Sequence, residues 1–289
     1  HYTIDFTDSF KKNVVENFVD EYISGRTPNP CVRCNSFIKW DTFIDQANNL
    51  GADFIATGHY AQIIQKNNTF MISKGVDNKK DQSYVLWGIP KETLSKTILP
   101  LGDLTKEEVR DIARKYKLET AEEPESMEIC FIADNNYKRF INDYASTKVK
   151  DIGIGKTLNE DGEKIGENDG YINYTIGQRK GIGISNKNPL YVKEINSEKN
   201  TITVSEKKSL FNTKCKVSNI NWLIDDIELP LSAKCQIRYN GDGAIADITK
   251  KNDKYFVEFN EPQLAITPGQ SIVFFDNNFL LGGGIIEPI

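Results

Sequence analysis

Apolar residues recur at helical spacing only in the first half of this chain, and that asymmetry limits its fold more than any other feature. Phe10, Val14, Val15, Phe18, Val19, Tyr22 and Ile23 form one amphipathic stripe, with Thr7 or Asp8 as a cap and Gly25 as the stop. A second helix is predicted over 36–49. Between the two, Pro28 and Pro30 fix φ and push Thr27 and Asn29 towards extended geometry, which predicts a stiff loop before Cys31. Ala52 to Thr57 reads as a short buried strand ending at Gly58 and His59, the kind of strand end where open α/β sheets place ligands. Thr105 to Glu108 is a capping box opening a helix with Val109, Ile112, Ala113 and Tyr116 on one face. The last helical stripe follows Asp134 and carries Tyr137, Phe140, Ile141 and Tyr144.

Beyond it the pattern is β. Asp161-Gly162 marks a hairpin turn, Gly170 to Ile184 is a β-type run broken by glycines, and Leu190 to Val204 reads as two strands joined over 197–200. From Lys214 to Ile286 short β runs alternate with turns such as Asn240-Gly241-Asp242-Gly243 and Asp276-Asn277-Asn278, which predicts a small antiparallel barrel. The expected layout is α/β over 1–133, a small mixed or β central domain over 134–207 and a C-terminal antiparallel β-barrel over 208–289.

Composition agrees with a globular chain: 39% of the 289 residues are hydrophobic, and 20 Gly with 10 Pro are too few for a disordered or collagen-like sequence. No apolar run approaches the roughly 18 to 20 residues that cross a bilayer, and His1 to Phe6 is no signal peptide, so a cytoplasmic protein without membrane contact is expected. With 36 basic against 41 acidic residues, the simplest argument for a generic nucleic-acid binder is removed, and any such partner must be recognised locally.

Five cysteines, an odd number, do not make a secreted disulfide scaffold; reduced thiols fit better. Cys31-Val32-Arg33-Cys34 admits three readings: half a zinc site completed by Cys130 and His59, a dithiol redox pair, or a loop with one reactive thiolate. Arg33 beside Cys34 would lower its pKa, whereas Glu122, Glu123, Glu125 and Glu128 would act the other way on Cys130. Cys215 and Cys235, in β runs, read as buried small hydrophobes. His59 is either a hydrogen-bonded structural residue or a functional group. Lys79 to Tyr84 is a solvated turn or a presentation of polar groups to a phosphate or base, and Arg238-Tyr239 is ordinary amphipathic strand or a stacking and phosphate contact.

Taken together, Gly25-Arg-Thr-Pro-Asn-Pro-Cys-Val-Arg-Cys-Asn-Ser-Phe-Ile-Lys39, Ala56-Thr-Gly-His-Tyr-Ala61, Lys80-Asp-Gln-Ser-Tyr84, Glu125-Ser-Met-Glu-Ile-Cys-Phe-Ile132, Tyr174-Thr-Ile-Gly-Gln-Arg-Lys-Gly181, Thr267-Pro-Gly-Gln270 and Leu281-Gly-Gly-Gly-Ile-Ile286 resemble, in order, the signatures of the tRNA-specific 2-thiouridylases, the MnmA/TrmU family. The resemblance covers essentially the whole chain. It implies a PP-loop ATP-pyrophosphatase domain of the adenine nucleotide alpha hydrolase type, a central domain and a β-barrel. It also implies ATP with Mg2+, tRNA as substrate, a sulfur-donor protein as partner and a monomer. By the same resemblance Cys34 is the nucleophile, Cys130 carries sulfur as a persulfide, and the two form a transient disulfide bond. Gly58 matches an ATP contact, and Asn29, Pro30 and Cys31 match the segment that meets the target base. His59, Lys80, Asp81, Gln82, Arg238, Tyr239 and Gln270 match tRNA contacts, and no residue is expected to bind a resident metal.

Three departures accompany the resemblance. Family members begin with a strand and a Ser-Gly-Gly-x-Asp-Ser loop that binds ATP phosphates; these residues contain none, so they are expected not to adenylate uridine by themselves. Some relatives carry Asp where this chain has Cys31, so no catalytic role is expected of that thiol. Asn168 stands where His is common and bears on the central domain alone. The competing readings are an RNA-binding remnant without catalysis and a zinc-stabilised module using Cys31, Cys34 and Cys130.

Overall fold

The computed structural model describes residues 1–123 and 129–288. The first helix is continuous over 7–23, with a π-helical stretch at Lys11–Val15 between Thr7–Phe10 and Glu16–Ile23. Its start is not capped by Thr7 or Asp8: the Asp5 carboxylate, two residues before Thr7, accepts the Thr7 N–H at 2.8 Å. Gly25 ends it at φ +74°, a backbone conformation that side chains with a Cβ rarely adopt. The second helix is continuous over 30–49 and starts six residues before the predicted boundary. Asn29 is its N-cap, accepting the Val32 N–H at 3.3 Å, and Pro30 takes the first helical position, where its missing N–H costs nothing. Cys31 and Cys34 therefore lie on a helical turn and not in a loop. The following stretch, Asn35–Thr42, is π-helical.

The predicted strand over 52–57 shrinks to β1 (Ile55–Ala56). The hairpin β2 (Ala61–Lys66) and β3 (Thr69–Lys74) turns at Asn67 and Asn68, both at positive φ. β4 (Thr97–Ile98) is the parallel partner of β1. The helix Lys106–Lys115 has its capping box in place, but its apolar stripe packs on little: Ile112 is 44% and Tyr116 70% exposed. In the central domain, helices Tyr137–Tyr144 and Ser146–Val149 precede β5 (Gly155–Leu158), β6 (Lys164–Asn168), β7 (Leu190–Asn196) and β8 (Thr201–Glu206), ordered β6-β5-β8-β7. The run from Gly170 to Ile184 is not strand: after a tight turn at Tyr171–Asn173 it crosses as irregular chain, because Gly177 and Gly183 sit at φ +87° and +76°, outside pleated geometry.

The barrel strands are β9 (Phe211–Trp222), β10 (Leu231–Gln236), β11 (Ala244–Lys251), β12 (Lys254–Leu264), β13 (Ser271–Asp276) and β14 (Phe279–Glu287). They run β13-β10-β11-β12-β9-β14 and close through a β13–β14 pairing, which leaves no free edge. Inside lie Cys215, Cys235, Ala246, Ile248, Val257 and Phe274, so the two β-run cysteines are the buried small hydrophobes expected.

The barrel is not a separate bead. β3 pairs with β14 and extends the barrel sheet into the first domain. Leu223, Val273, Phe275 and Leu280 share one apolar core with Trp40, Ile44, Leu86 and Ile89. Glycine at 283 permits the contact, since a Cβ there would lie 2.7 Å from Trp87 Cγ and 2.8 Å from the Ile272 carbonyl oxygen. Tyr84 Oη donates to the Ser271 carbonyl at 2.9 Å, and Asn221 Nδ2 donates to the carbonyls of Trp87 and Ile89 at 2.8 Å. On the other side, Phe18, Val19 and Tyr22 of the first helix pack into the core of the central domain. Among the described residues, no helix is long and apolar enough to cross a membrane.

Candidate active site

A cavity of about 640 Å³ opens where the second helix, the end of β1, the turn before Ser83, the segment around Cys130 and the β10–β11 turn meet. Cys31, Cys34 and Cys130 line it. So do Asn29, Pro30, Gly58, His59, Lys80, Gln82 and Tyr239, which brings most of the sequence-predicted site residues to one place. Glu125 and Glu128, expected to act on Cys130, lie outside the described residues, and Glu122 is turned to Arg114, whose Nε donates to it at 2.7 Å. All five cysteines are free thiols, so the expected disulfide is not a feature of this state. Among the described residues no group of three or more His, Cys, Asp or Glu converges to hold a metal ion.

Cys31 and Cys34 present their thiols from one helical turn. Cys31 is exposed, but to a cavity ringed by protein. Loss of hydration pushes its pKa up, and the negative charges that Cys130 and Cys34 would carry push it further. Burial also raises the Cys34 pKa, with Lys39 opposing and Cys130 adding to the rise. The cation beside Cys34 is therefore Lys39 and not Arg33. Arg33 turns away: its guanidinium lies 4.0 Å above the Phe37 ring and its Nε donates to the Asn13 carbonyl at 3.1 Å.

His59 is buried, with Nδ1 2.8 Å from Thr57 Oγ1 and Nε2 3.4 Å from Lys39 Nζ. An ammonium can only donate, so Nε2 accepts and the ring proton sits on Nδ1, facing Thr57. Burial first and Lys39 second lower its pKa to about 3, so the imidazole is neutral at physiological pH. The sign for stability follows. The unfolded chain takes up this proton below the ordinary value of 6.5 and the folded one resists down to about 3. Stability is thus unaffected by this group above 6.5 and falls between those values, by about 2 kcal/mol at pH 5. A His59→Gln variant is expected to lose less stability than the parent between pH 7 and 5, as urea unfolding midpoints will show.

The remaining predicted residues brace the site. Asp81 accepts the N–H groups of Gly75 and Ser83 at 3.0 and 3.2 Å, and the Ser83 hydroxyl at 2.7 Å. Gln82 Oε1 accepts the Tyr60 N–H at 2.9 Å, which ties that turn to the chain beside His59. Arg238 Nη2 donates to the Ala265 carbonyl at 3.0 Å, and Tyr239 is half-exposed, edge-on to Tyr84 at 6.1 Å. Gln270 Nε2 donates to the carbonyls of Thr27 and Pro28 at 3.0 and 2.9 Å, which pins the chain that leads into the Asn29 cap. Asp81, Arg238 and Gln270 do not line the cavity. Gln270→Glu replaces two donated hydrogen bonds with carboxylate–carbonyl repulsion and is expected to cost about 2 kcal/mol, against about 1 for Gln270→Ala, measured by urea unfolding.

Sequence reasoning missed Lys39, Lys106 and the aromatic wall of Phe10 and Phe131, whose rings meet edge-on at 5.7 Å. With Lys80 these make three lysines in the cavity and no carboxylate among its described lining residues, in a chain of net charge −5. Such a surface favours a polyanionic ligand locally. At Gly58 a Cβ would meet only Leu101 Cδ1 at 3.6 Å, so the protein does not itself demand glycine there, and the space over its Cα suits the close approach of a ligand.

Fold and site together define a three-part protein with a HUP-type domain, a small PRC-barrel-like domain and a closed six-stranded barrel, carrying a thiol-lined cavity. Its residues match the family descriptions "tRNA methyl transferase HUP domain" over 1–134, "tRNA methyl transferase PRC-barrel domain" over 138–206 and "Aminomethyltransferase beta-barrel domain" over 212–286. It is 43% identical to the tRNA-specific 2-thiouridylase MnmA of Carboxydothermus hydrogenoformans, across 99% of this chain and 79% of that protein. It is 41% identical to the MnmA of Clostridium perfringens, across 100% of this chain and 80% of the relative, and 43% identical to that of Caldicellulosiruptor saccharolyticus, across 99% and 80%. The chain belongs to the MnmA family.

Proposed function

We propose that this protein is a tRNA 2-thiouridylase, replacing the C2 oxygen of a wobble uridine with sulfur. The observation that carries the reading is the meeting of Cys34 and Cys130, far apart in sequence, in one lysine-bearing cavity. Sulfur transfer requires a carrier and a cleaver, and two thiols lining one cavity can supply both.

ATP, the co-substrate, would turn the C2 oxygen into an adenylate and so into a leaving group. The terminal sulfur of a Cys130 persulfide, loaded by a sulfur-donor protein, then bonds to C2 as AMP departs. Cys34 thiolate attacks the Cys130 sulfur; the S–S bond to the transferred atom breaks, its electron pair stays on that atom, and a Cys34–Cys130 disulfide forms. A dithiol reductant resets the pair. Mg2+, expected with ATP, meets no carboxylate among the described lining residues. Asn29 and Pro30 form a rigid rim at the helix start against which an unstacked base can rest, and Tyr239 offers a face for stacking. Lys80 and Lys106 favour phosphate groups in the cavity.

Because these residues by themselves are expected not to adenylate uridine, the test is incubation of a protein that joins them to a Ser-Gly-Gly-x-Asp-Ser ATP loop with tRNA, ATP and a persulfide donor, followed by nucleoside mass spectrometry. 2-Thiouridine at the wobble position supports the reading. Tight tRNA binding with no thiolation would instead identify a non-catalytic binder.

A further inference from the structure

We propose that Lys39 is the cation that holds the Cys34 thiolate, and that the π-helical register of the second helix puts it there. In an α-helix residues five apart point in well-separated directions, whereas a π-helix, with i→i+5 hydrogen bonds, stacks them on one face. Cys34 immediately precedes the π-helical Asn35–Thr42, and Lys39 is five residues on. Both residues line the same cavity, and Lys39 Nζ lies 3.4 Å from the Nε2 of a neutral His59, a single acceptor that leaves the ammonium further donors for a thiolate.

The titratable groups around Cys34 are few. Its own helix supplies Cys31 and Lys39, and the chain after β1 supplies His59 and Tyr60. Lys80 comes from the turn before Ser83, Lys106 from the capped helix, Cys130 from the segment after the first domain's helices, and Tyr239 from the barrel. Cys130 opposes ionisation of both Cys34 and Cys31, and His59 is uncharged. The Lys39 charge acts on Cys31, Cys34 and His59 alike, favouring the ionised thiols and the neutral imidazole. It is thus a positioning residue acting through the thiol, and it deepens the thiouridylase reading by naming what activates the nucleophile.

The test needs no turnover, so its failure is distinguishable from failure of that reading. Cys34 alkylation by iodoacetamide is followed against pH by peptide mass spectrometry in the parent, Lys39→Gln, Lys39→Met and Lys39→Arg. Both neutral variants are expected to slow alkylation at neutral pH at least about threefold and to move the Cys34 midpoint upward, with Cys31 moving in the same direction, while Arg restores the parent profile. The His59 midpoint, read by NMR, should rise in the neutral variants. An unchanged Cys34 profile in either folded neutral variant overturns the proposal, as does a profile that Arg fails to restore. Should the neutral variants not fold, a Lys39→Arg protein with the parent profile still supports it and one with a displaced profile sinks it.

Discussion

In a protein that joins these residues to the Ser-Gly-Gly-x-Asp-Ser ATP loop, Cys130→Ser is expected to lower tRNA thiolation by at least about 10³-fold while leaving the unfolding midpoint in place. Cys130 is exposed to the cavity, so exchanging its sulfur for oxygen removes no core packing, and such surface changes shift stability by about 0.5 kcal/mol or less. The chemical effect is of another order, because an alkoxide-forming hydroxyl cannot carry sulfane sulfur. Cys34→Ser should lose turnover to the same extent but fail at a different step. Sulfur still reaches C2, yet nothing cleaves the S–S bond, so tRNA stays joined to Cys130 through a disulfide. A gel should therefore show a tRNA–protein adduct that dithiothreitol releases in Cys34→Ser and no adduct in Cys130→Ser. Cys31→Ser should retain turnover. Adduct formation by both variants, or retained thiolation in Cys130→Ser, would remove the assigned division of labour between the two thiols.

Much of this site was legible in the sequence because its residues sit in local signals. The Thr105–Glu108 capping box, the Asp276–Asn278 turn and the helical stripe of Phe18, Val19 and Tyr22 depend on a few neighbouring residues, and the structure has all three. Elsewhere two physical rules compete over the same residues, or the deciding contact leaves no local signal. At Asn29-Pro30 the restriction proline places on its predecessor predicts a stiff loop, but the same non-helical geometry at Asn29 is what an N-cap needs before a proline at the first helical position. The second helix consequently begins at Pro30, and both thiols ride on it. Adjacency in sequence points to Arg33 as the cation for Cys34, but adjacent helical residues point apart and its guanidinium lies over Phe37. Lys39 could not be found by α-helical spacing because its approach depends on a π-helical register, which leaves no signature in apolar periodicity. The strand predicted over 52–57 was too long because its pairing is set by β4, two residues that no pattern in 52–57 reveals. Nor could periodicity show that β3 would join β14, a contact between distant segments that ties the His59 loop to the barrel and its Tyr239.

Trp40→Ala is expected to be the most destabilising single change near the site, by about 3–5 kcal/mol. The side chain is fully buried, in the core shared by the second helix, the segment around Leu86 and the barrel residues Val273 and Phe275, and its removal leaves a cavity that three elements would have to fill together. Its Nε1 also donates to Thr97 Oγ1 at 2.9 Å, and that hydroxyl passes its own proton to the Thr93 carbonyl at 2.8 Å. Trp40→Phe separates the two contributions. If packing dominates, Phe should recover all but about 1–2 kcal/mol, the expected cost of leaving a buried hydroxyl without its donor; if the hydrogen bond dominates, Phe should resemble Ala. Urea unfolding followed by circular dichroism decides between these outcomes. The consequence for chemistry follows from place. Trp40 is next to Lys39 in the chain, its ring lies 5.5 Å from that of His59, and through Thr97 in β4 it fastens the thiol-bearing helix to the strand pair that ends at His59. Loosening that link should disperse the 3.4 Å contact between Lys39 and His59 before it unfolds the domain. In folded Trp40→Phe, thiolation should accordingly fall only modestly, whereas Trp40→Ala, studied below its unfolding transition, should show both slower alkylation of Cys34 and a raised His59 midpoint, the same pair of changes that loss of the Lys39 charge produces.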